Sequence, residues 1–182
     1  MTTSDEPAQR PGRVWLAGLM ASGKSTVGRE LARRRGWPYV DNDASIQAMA
    51  GQSSVALAAQ GGAVLHEWEA RLVAHLVGLT APVVAGIPAS IADRPDDLQL
   101  LRRSGLLVFL RCDLDTLVRR VAADPPRPWL GADVRPLLRA MVRRRDPVLT
   151  AVAHLVLDAT QPVGAVVDRI ELELDTAGWG RE

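Results

Sequence analysis

Short apolar runs alternate along the chain with longer segments in which apolar residues recur at helical spacing. Short apolar strands separated by helices are typical of a parallel sheet that is covered on both faces. Strands are predicted at 13–17, 39–40, 82–87, 106–111 and 154–158. Helices are predicted at 25–35, after 41–43 up to 51, and at 53–60, 64–78, 96–104, 113–122, 133–145 and 163–174. The expected fold is therefore α/β, a three-layer sandwich with a five-stranded parallel sheet.

The length of 182 residues is typical of one compact domain. We expect residues 1–12 to be a flexible lead-in, residues 13–176 to form the domain and residues 177–182 to be a C-terminal tail. The net charge of +1 argues against a nucleic-acid partner, and no apolar run is long enough to span a membrane. A single cysteine, Cys112, excludes an internal disulfide. We expect a cytoplasmic monomer that acts on a small molecule.

The clearest chemical signal is the segment from Gly18 to Ser25, which matches G-x-x-x-x-G-K-S between a predicted strand and a predicted helix. In such a loop, backbone N–H groups surround the phosphates, the lysine bridges the β- and γ-phosphates, and the serine hydroxyl ligates Mg²⁺. Lys24 is also the only lysine in the chain, and a compact ammonium fits between phosphate oxygens where a guanidinium does not. The loop predicts binding of ATP and Mg²⁺.

The predicted nucleotide contacts come from the loop and the start of the following helix: Gly18, Ala21, Ser22, Gly23, Lys24, Ser25 and Thr26. Thr26 is better explained as a first-turn helix residue than as a ligand. The short chain favours a small kinase over other classes of phosphate-loop protein. The absence of an Asn-Lys-x-Asp guanine motif and an arginine-bearing, proline-rich segment at 123–131 favour it too.

The order of the motifs resembles that of shikimate kinases from about Val14 to Leu174. The phosphate loop and its helix, followed by Trp37-Pro-Tyr-Val-Asp-Asn-Asp43, resemble the opening of that family. Arg127-Pro-Trp-Leu130 resembles its lid motif Arg-Pro-Leu-Leu, and Arg145-Asp-Pro-Val-Leu149 resembles its Arg-x-Pro-Leu-Tyr. The resemblance implies a phosphate-loop fold of the nucleoside-monophosphate-kinase type, with a lid over about 123–132.

The resemblance also implies a role for several side chains. Asp41 would help to hold Mg²⁺, and Asp43 would receive the acceptor hydroxyl as a base or orienting group. Arg127 on the lid would reach the γ-phosphate, Arg120 would stack on adenine, and Arg145 would hold the substrate carboxylate. Independently, two carboxylates at positions i and i+2 of a strand end point to the same side, so Asp41 and Asp43 are expected to face one site.

A purely structural interpretation stays open for three of these features. Residues 41–43 also suit a turn that caps a helix, since Asp and Asn favour both. Arg127, between two prolines, also suits a surface turn, and Arg120 also suits a solvated helix face.

The acceptor half of the pattern departs from the family in two places. Where the family has Gly-Gly-Gly after the third strand, this chain has Gly86-Ile-Pro-Ala-Ser90, and Pro88 has no N–H to donate. Where the family has Phe-Arg-x-x-Glu, this chain has Leu65-His-Glu-Trp-Glu69. His66 is thus a candidate substrate contact in place of an arginine, or simply a surface helix residue. Loss of one charge-assisted hydrogen bond typically costs about 1.5–3 kcal/mol.

Three functions follow from an intact ATP half and an altered acceptor half. The first is transfer of the γ-phosphate to a hydroxyl of a small carboxylated cyclic metabolite, shikimate before others. The second is a kinase for another polyol or sugar acid, as in gluconate kinases. The third is a nucleotide-binding regulatory module with weak turnover. The presence of Asp43 and Lys24 favours a kinase.

Overall fold

Five parallel strands form the centre of the molecule in a computed structural model that describes residues 12–123 and 133–179. The order of the strands across the sheet is β2-β3-β1-β4-β5. Their bounds are Arg13–Ala17 (β1), Tyr39–Val40 (β2), Val83–Gly86 (β3), Leu106–Arg111 (β4) and Leu155–Asp158 (β5). Each of the five predicted strands is therefore confirmed, with ends that differ by one residue at most.

Helices connect the strands and cover the sheet. They are α1 (Lys24–Arg35), α2 (Asn42–Ala50), α3 (Ser54–Gln60), α4 (Gly62–Gly78), α5 (Pro95–Ser104), α6 (Leu114–Ala123), α7 (Arg135–Val152) and α8 (Val163–Thr176). A short 3₁₀ helix, Ala89–Asp93, follows β3 and was not predicted. Among the described residues, no helix has the length and apolar character that crossing a membrane requires.

The central strand β1 has buried side chains on both faces. Val14 and Leu16 belong to an apolar cluster that includes Leu31 of α1 and Ile170 of α8. Trp15 belongs to a second cluster, with residues of α4 and α5 such as Leu72 and Leu101. Because side chains alternate across a strand, one short sequence supplies both apolar layers. This arrangement confirms the three-layer sandwich.

The parallel register determines where the site forms. Leu16 of β1 lies opposite Gly86 of β3, and Val40 of β2 lies opposite Ala85. The carboxyl ends of these three strands consequently meet at one edge of the sheet, where parallel α/β folds bind ligands. The segments that follow the strands, which are the phosphate loop, residues 41–43 and residues 87–90, therefore come together.

Helix α7 is longer than the sequence predicted. It was expected to end at Arg145, but it continues to Val152 with Pro147 inside it. Proline lacks the N–H that would bond to the preceding turn, and it usually ends or kinks a helix. The apolar face of the helix continues past this point, since Leu138 before it and Leu149 after it are both fully buried. Burial of that face outweighs the missing hydrogen bond.

The expected boundaries of the domain also need correction at the C-terminal end. Trp179, assigned to a tail, is 6% exposed and belongs to the apolar core. Its ring lies edge-on to the ring of His154, with 5.7 Å between centroids, and its backbone N–H donates to the carbonyl oxygen of Leu174. Residues 1–11 of the expected lead-in, and residues 124–132 of the expected lid with Arg127, lie outside the described residues.

Candidate active site

The phosphate loop has a backbone that only particular residues allow. Gly18 has φ +157°, and a Cβ there would collide with Ser22 Oγ and lie 2.9 Å from the carbonyl oxygen of Leu110. Gly23, the residue before α1, has φ +98°, and Ala21 also has a positive φ of 58°. These conformations are the ones that glycine tolerates at little cost. The loop is thus folded tightly at the N-terminus of α1, where the helix dipole favours an anion.

Lys24 and Ser22 supply polar groups inside this loop. Lys24 Nζ donates to the carbonyl oxygens of Gly18 at 2.8 Å and Leu19 at 3.0 Å, so the ammonium group lies across the start of the loop. Ser22 is 1% exposed, and among the described residues its Oγ has no hydrogen-bond partner. A buried hydroxyl without a partner is costly unless a ligand satisfies it. Both residues line the cavity described below, so a phosphate group fits here.

Ser25 and Asp41 form the candidate metal-binding pair. Ser25 Oγ donates to Asp41 Oδ2 at 2.8 Å, and the other carboxylate oxygen accepts from the backbone N–H groups of Asp43 and Ala44. Burial alone would raise the pKa of Asp41, but these hydrogen bonds hold it below the usual value. A hydroxyl and an ionised carboxylate are oxygen ligands of the kind that Mg²⁺ takes together with substrate phosphates. The residues present therefore fit the ion.

Tyr39 extends this arrangement behind the carboxylate. Its hydroxyl donates to Asp41 Oδ2 at 3.4 Å, and its ring packs against Gly28 of α1. Burial raises the pKa of Tyr39 to about 12, so the phenol remains a neutral donor. The guanidinium of Arg29 lies 3.9 Å from the same carboxylate oxygen. Asp41 is consequently held from several sides.

The expected geometry of the two aspartates was wrong, because they do not extend together from the end of a strand. Strand β2 ends at Val40, so Asp41 and Asp43 are not strand residues two apart. Asp41 caps α2 in an extended conformation, and Asp43 belongs to the first turn of that helix. The capping interpretation is therefore confirmed for Asp41, and the site roles of both carboxylates stay predictions. Asp43 lines the cavity, and its Oδ1 accepts a 2.9 Å hydrogen bond from Ser54 Oγ.

Arg120 reaches from α6 to the phosphate loop. Its Nη1 donates to the carbonyl oxygens of Ala21 at 3.3 Å and Ser22 at 3.4 Å, and its Nη2 donates to that of Ala159 at 2.9 Å. A solvated helix face is therefore the wrong interpretation of this residue. It joins the phosphate loop to the segment after β5, and both segments line the cavity. Stacking on adenine stays a prediction.

Arg145 is the member of the run 143–145 that lines the cavity. Its Nη2 lies 2.9 Å from Asp93 Oδ2, and its side chain is only 13% exposed. Arg144 pairs with the other oxygen of the same carboxylate at 2.8 Å, but it is 71% exposed. Asp93 thus fixes the direction of the Arg145 guanidinium, which keeps donors for a second anion.

His66 lies beside a buried carboxylate. Glu69 has a side chain that is 11% exposed, accepts a 2.6 Å hydrogen bond from Ser90 Oγ, and lies 3.9 Å from His66 Nε2. Burial raises the pKa of Glu69, and the hydrogen bond from Ser90 opposes that rise. His66, Glu69, Ser90 and Arg145 all line the cavity. Among the described residues, this end of the cavity therefore contains one guanidinium held by Asp93 and one histidine near a carboxylate.

A cavity of about 980 Å³ is lined by the phosphate loop and by Asp43, Glu69, Arg120 and Arg145. It extends from the phosphate loop past Asp43 to His66 and Arg145, and from the loop to Arg120 in the other direction. Its volume is at the upper end of the usual range for small-molecule sites. Two ligands in contact with each other, a nucleotide and a second small molecule, fit a cavity of this extent.

Sequence reasoning did not single out four polar residues of the site: Glu69, Ser90, Asp93 and Ser54. The sequence pattern around one of them, Glu69, could have indicated a polar contact in the interior. Glu69 shares a helix face with Leu72, Val73 and Leu76, all of which are buried. A carboxylate on the apolar face of a helix is a departure from the amphipathic pattern and marks a polar contact in the interior. The partners of Ser54 and Asp93 lie on other elements, so no local pattern revealed them.

Comparisons with known proteins identify the family of this chain. The family model described as shikimate kinase matches residues 20–175. A shikimate kinase of Burkholderia pseudomallei is 35% identical over 168 residues, which cover 91% of each chain. One of Salinibacter ruber is 40% identical over 178 residues, which cover 92% of this chain and 86% of the relative.

A solved structure gives the same result at the level of the fold. Shikimate kinase from Acinetobacter baumannii in complex with shikimate superposes with a TM-score of 0.83 and 25% identity, over 92% of this chain and 94% of that one. The family match over residues 20–175 and the likeness in fold both identify one group of ATP-dependent kinases. The chain belongs to the shikimate kinase family.

Proposed function

We propose that this chain transfers the γ-phosphate of ATP to a hydroxyl of shikimate and gives shikimate 3-phosphate. One observation carries the proposal: a single cavity contains the phosphate loop with Lys24, the carboxylate of Asp43 and the guanidinium of Arg145. Phosphoryl transfer requires positioning and charge stabilisation more than covalent chemistry, and these three groups supply both. The relatives that cover most of the chain carry the same activity in their names.

At the donor end, the loop and Lys24 bind the β- and γ-phosphates. The backbone N–H groups at the start of α1 face the anion, and the buried hydroxyl of Ser22 gains a partner. The ammonium of Lys24 leaves the carbonyl oxygens that it contacts now and moves onto the phosphates. Ser25 and Asp41 hold Mg²⁺, which neutralises charge on the phosphate oxygens when it is bound.

At the acceptor end, Asp43 receives the proton of the attacking hydroxyl or orients that hydroxyl. Arg145 binds the carboxylate of the acceptor while Asp93 holds its guanidinium from the other side. His66 takes the second position beside that carboxylate and offers one N–H where an arginine would offer a fork of donors. Arg120 borders the adenine position, and Arg127, outside the described residues, is assigned to the γ-phosphate on the lid.

Both substrates in this proposal are small dissolved molecules. We accordingly propose a monomer that works in the cytoplasm, without nucleic-acid or membrane partners. Size-exclusion chromatography with light scattering, with and without ATP, tests the first point directly.

The deciding experiment is acceptor-dependent release of ADP from Mg-ATP. Shikimate is compared with quinate, gluconate and several cyclic polyols, because His66 and Pro88 change the part of the cavity that meets the acceptor. Lys24→Ala is the inactive control, and Lys24→Arg restores the charge with a wider group. We expect wild type to release ADP with shikimate and both variants to release none, because alanine has no charge and a guanidinium does not fit between the phosphates.

The other outcomes separate the alternatives. Release with gluconate or a polyol, and none with shikimate, means a kinase of altered acceptor specificity. Binding of ATP without release for any acceptor means a nucleotide-binding regulatory module. Equal turnover in wild type and Lys24→Ala contradicts the assignment of the phosphate loop.

A further inference from the structure

We propose that Ser54 is a positioning residue of this kinase, which holds the carboxylate of Asp43 in the orientation that receives the acceptor hydroxyl. The inference rests on the proposed function, since it gives Asp43 the role of base or orienting group. It adds a hydrogen-bond partner for Asp43. That partner lies on α3, which is not part of the phosphate-loop motif.

The contact joins two helices. Ser54 is the first residue of α3, and its Oγ donates a 2.9 Å hydrogen bond to Oδ1 of Asp43 in the first turn of α2. Asn42 Nδ2 donates to the same oxygen at 3.3 Å. Within residues 12–123 and 133–179, the hydrogen bonds to this carboxylate both end on Oδ1 and none ends on Oδ2. One oxygen is thus fixed by the protein, and the other remains for a ligand.

The position of Asp43 makes such a contact necessary. The residue is exposed at the wall of the cavity, so its side chain is not held by close packing. An unrestrained carboxylate would populate several rotamers, of which only some place an oxygen against the acceptor. Small errors in the placement of reacting groups reduce turnover strongly. A hydrogen bond from a neighbouring helix restricts the rotamer without packing.

The hydroxyl of Ser54 is not needed to form its own helix. The neighbouring residue, Ser53, is the N-cap of α3, and its Oγ accepts from the backbone N–H of Ala56 at 3.1 Å. Two adjacent serines therefore have separate tasks: one caps the helix and the other contacts the base. This pair provides a matched control, since removal of either hydroxyl is the same chemical change.

The experiment compares Ser54→Ala, Ser54→Thr and Ser53→Ala with wild type, in steady-state assays with Mg-ATP and shikimate and in thermal unfolding. We expect kcat to fall about fivefold to tenfold in Ser54→Ala, with KM for ATP unchanged, because a hydrogen bond to an ionised group is lost. Ser54→Thr keeps the hydroxyl and restores kcat. Ser53→Ala lowers the melting temperature through loss of the cap but leaves kcat within about twofold.

A second measurement tests whether Ser54 acts through Asp43. In an Asp43→Asn background, adding Ser54→Ala is expected to lower the residual kcat no further, since residues that act as a unit are not additive. A full fivefold to tenfold loss in that background would mean that Ser54 works independently of Asp43 and would overturn the proposal.

Each remaining outcome has one meaning. Unchanged kcat in Ser54→Ala, or an equal loss in Ser53→Ala, overturns the positioning role, the latter because it would reflect loosening of α3. A raised KM for the acceptor with unchanged kcat would make Ser54 a direct substrate contact and also overturns it. If wild type itself releases no ADP with shikimate or any other acceptor, the proposed function has failed, which is distinguishable because no variant is involved.

Discussion

The hydroxyl of Ser25 and the carboxylate of Asp41 are joined by a 2.8 Å hydrogen bond between the first turn of α1 and the cap of α2. The same carboxylate satisfies two backbone N–H groups at the start of α2. The group assigned to the metal is thus held by helix capping, which depends on neither metal nor nucleotide. Capping uses Oδ1 of Asp41, and Oδ2 accepts hydrogen bonds from the hydroxyl groups of Ser25 and Tyr39.

Asp41→Asn separates the two tasks of this residue. Asparagine caps helices about as well as aspartate, so the melting temperature is expected to change little. The amide has no negative charge for a hard cation, so the Mg²⁺ concentration that gives half-maximal velocity is expected to rise about tenfold or more. Velocity is measured against free Mg²⁺ at fixed ATP. Asp168→Asn, an exposed position on α8, is the control, and an unchanged Mg²⁺ dependence would remove Asp41 from the metal site.

Much of this fold could be predicted from the sequence because its strands are short apolar runs and its helices have regular periodicity. Leu106–Arg111 is a run of this kind, and its strand was placed correctly to the residue. The phosphate loop could also be predicted, because Gly18 and Gly23 have backbone angles that glycine tolerates at little cost, and these glycines form part of the motif. In both cases the residues that determine the structure are neighbours in the sequence.

Features that depend on distant partners could not be predicted in this way. Arg145 matched a motif, but its ion pair with Asp93 joins two segments far apart in sequence. The continuation of α7 through Pro147 depends on burial of Leu149, which overrides a local signal for a helix end. The hydrogen bond from Ser54 to Asp43 likewise joins two different helices. Such features emerge only when the elements are packed together.

His66→Arg tests the altered acceptor end. A guanidinium at this position has donors for both Glu69 and a substrate carboxylate, whereas the imidazole Nε2 lies 3.9 Å from Glu69. We expect KM for shikimate to fall about tenfold, with kcat nearly unchanged, because a charge-assisted hydrogen bond is gained in ground and transition states alike. His75→Arg, an exposed position on the same helix, controls for added charge. A KM for shikimate that stays unchanged or rises would mean that His66 does not contact the substrate carboxylate.

The surroundings of Gly28 and Gly164 predict opposite effects of a glycine-to-alanine substitution on stability. A Cβ on Gly28 would collide with the Tyr39 ring and lie 3.1 Å from Leu16 Cδ1, whereas on Gly164 of α8 it would meet only Arg34 Nη2 at 3.4 Å. Overpacking costs about 1–3 kcal/mol, and alanine gains up to about 1 kcal/mol over glycine in a helix.

Gly28→Ala is therefore expected to lower the free energy of unfolding by about 1–2 kcal/mol and Gly164→Ala to raise it by up to about 1 kcal/mol, both measured by urea titration. Replacing Tyr39 by valine should relieve the cost of Gly28→Ala. Destabilisation that persists in that background would show that the Tyr39 ring is not its cause.

The raised pKa of Glu69 makes stability depend on pH in a defined direction. Burial disfavours the ionised carboxylate, so in the folded chain the side chain holds its proton to higher pH than in the unfolded chain. Its contribution to stability is fully present below the unfolded pKa and is lost as pH rises through the folded pKa. Above that point, the folded chain contains an ionised carboxylate that is 11% exposed, with Ser90 as its hydrogen-bond donor.

Glu69→Gln removes this loss, because the amide stays neutral and its carbonyl still accepts from Ser90. We expect the melting temperature of the variant, relative to wild type, to increase as pH rises from the ordinary pKa of a glutamate, 4.5, towards neutral pH, since only the wild type loses stability as Glu69 ionises. Differential scanning calorimetry across that range measures the difference. Glu67→Gln on the same helix, where the side chain is 63% exposed, should show no such trend. A difference that shrinks as pH rises would mean that His66 and Arg145 stabilise the ionised form of Glu69 by more than burial destabilises it.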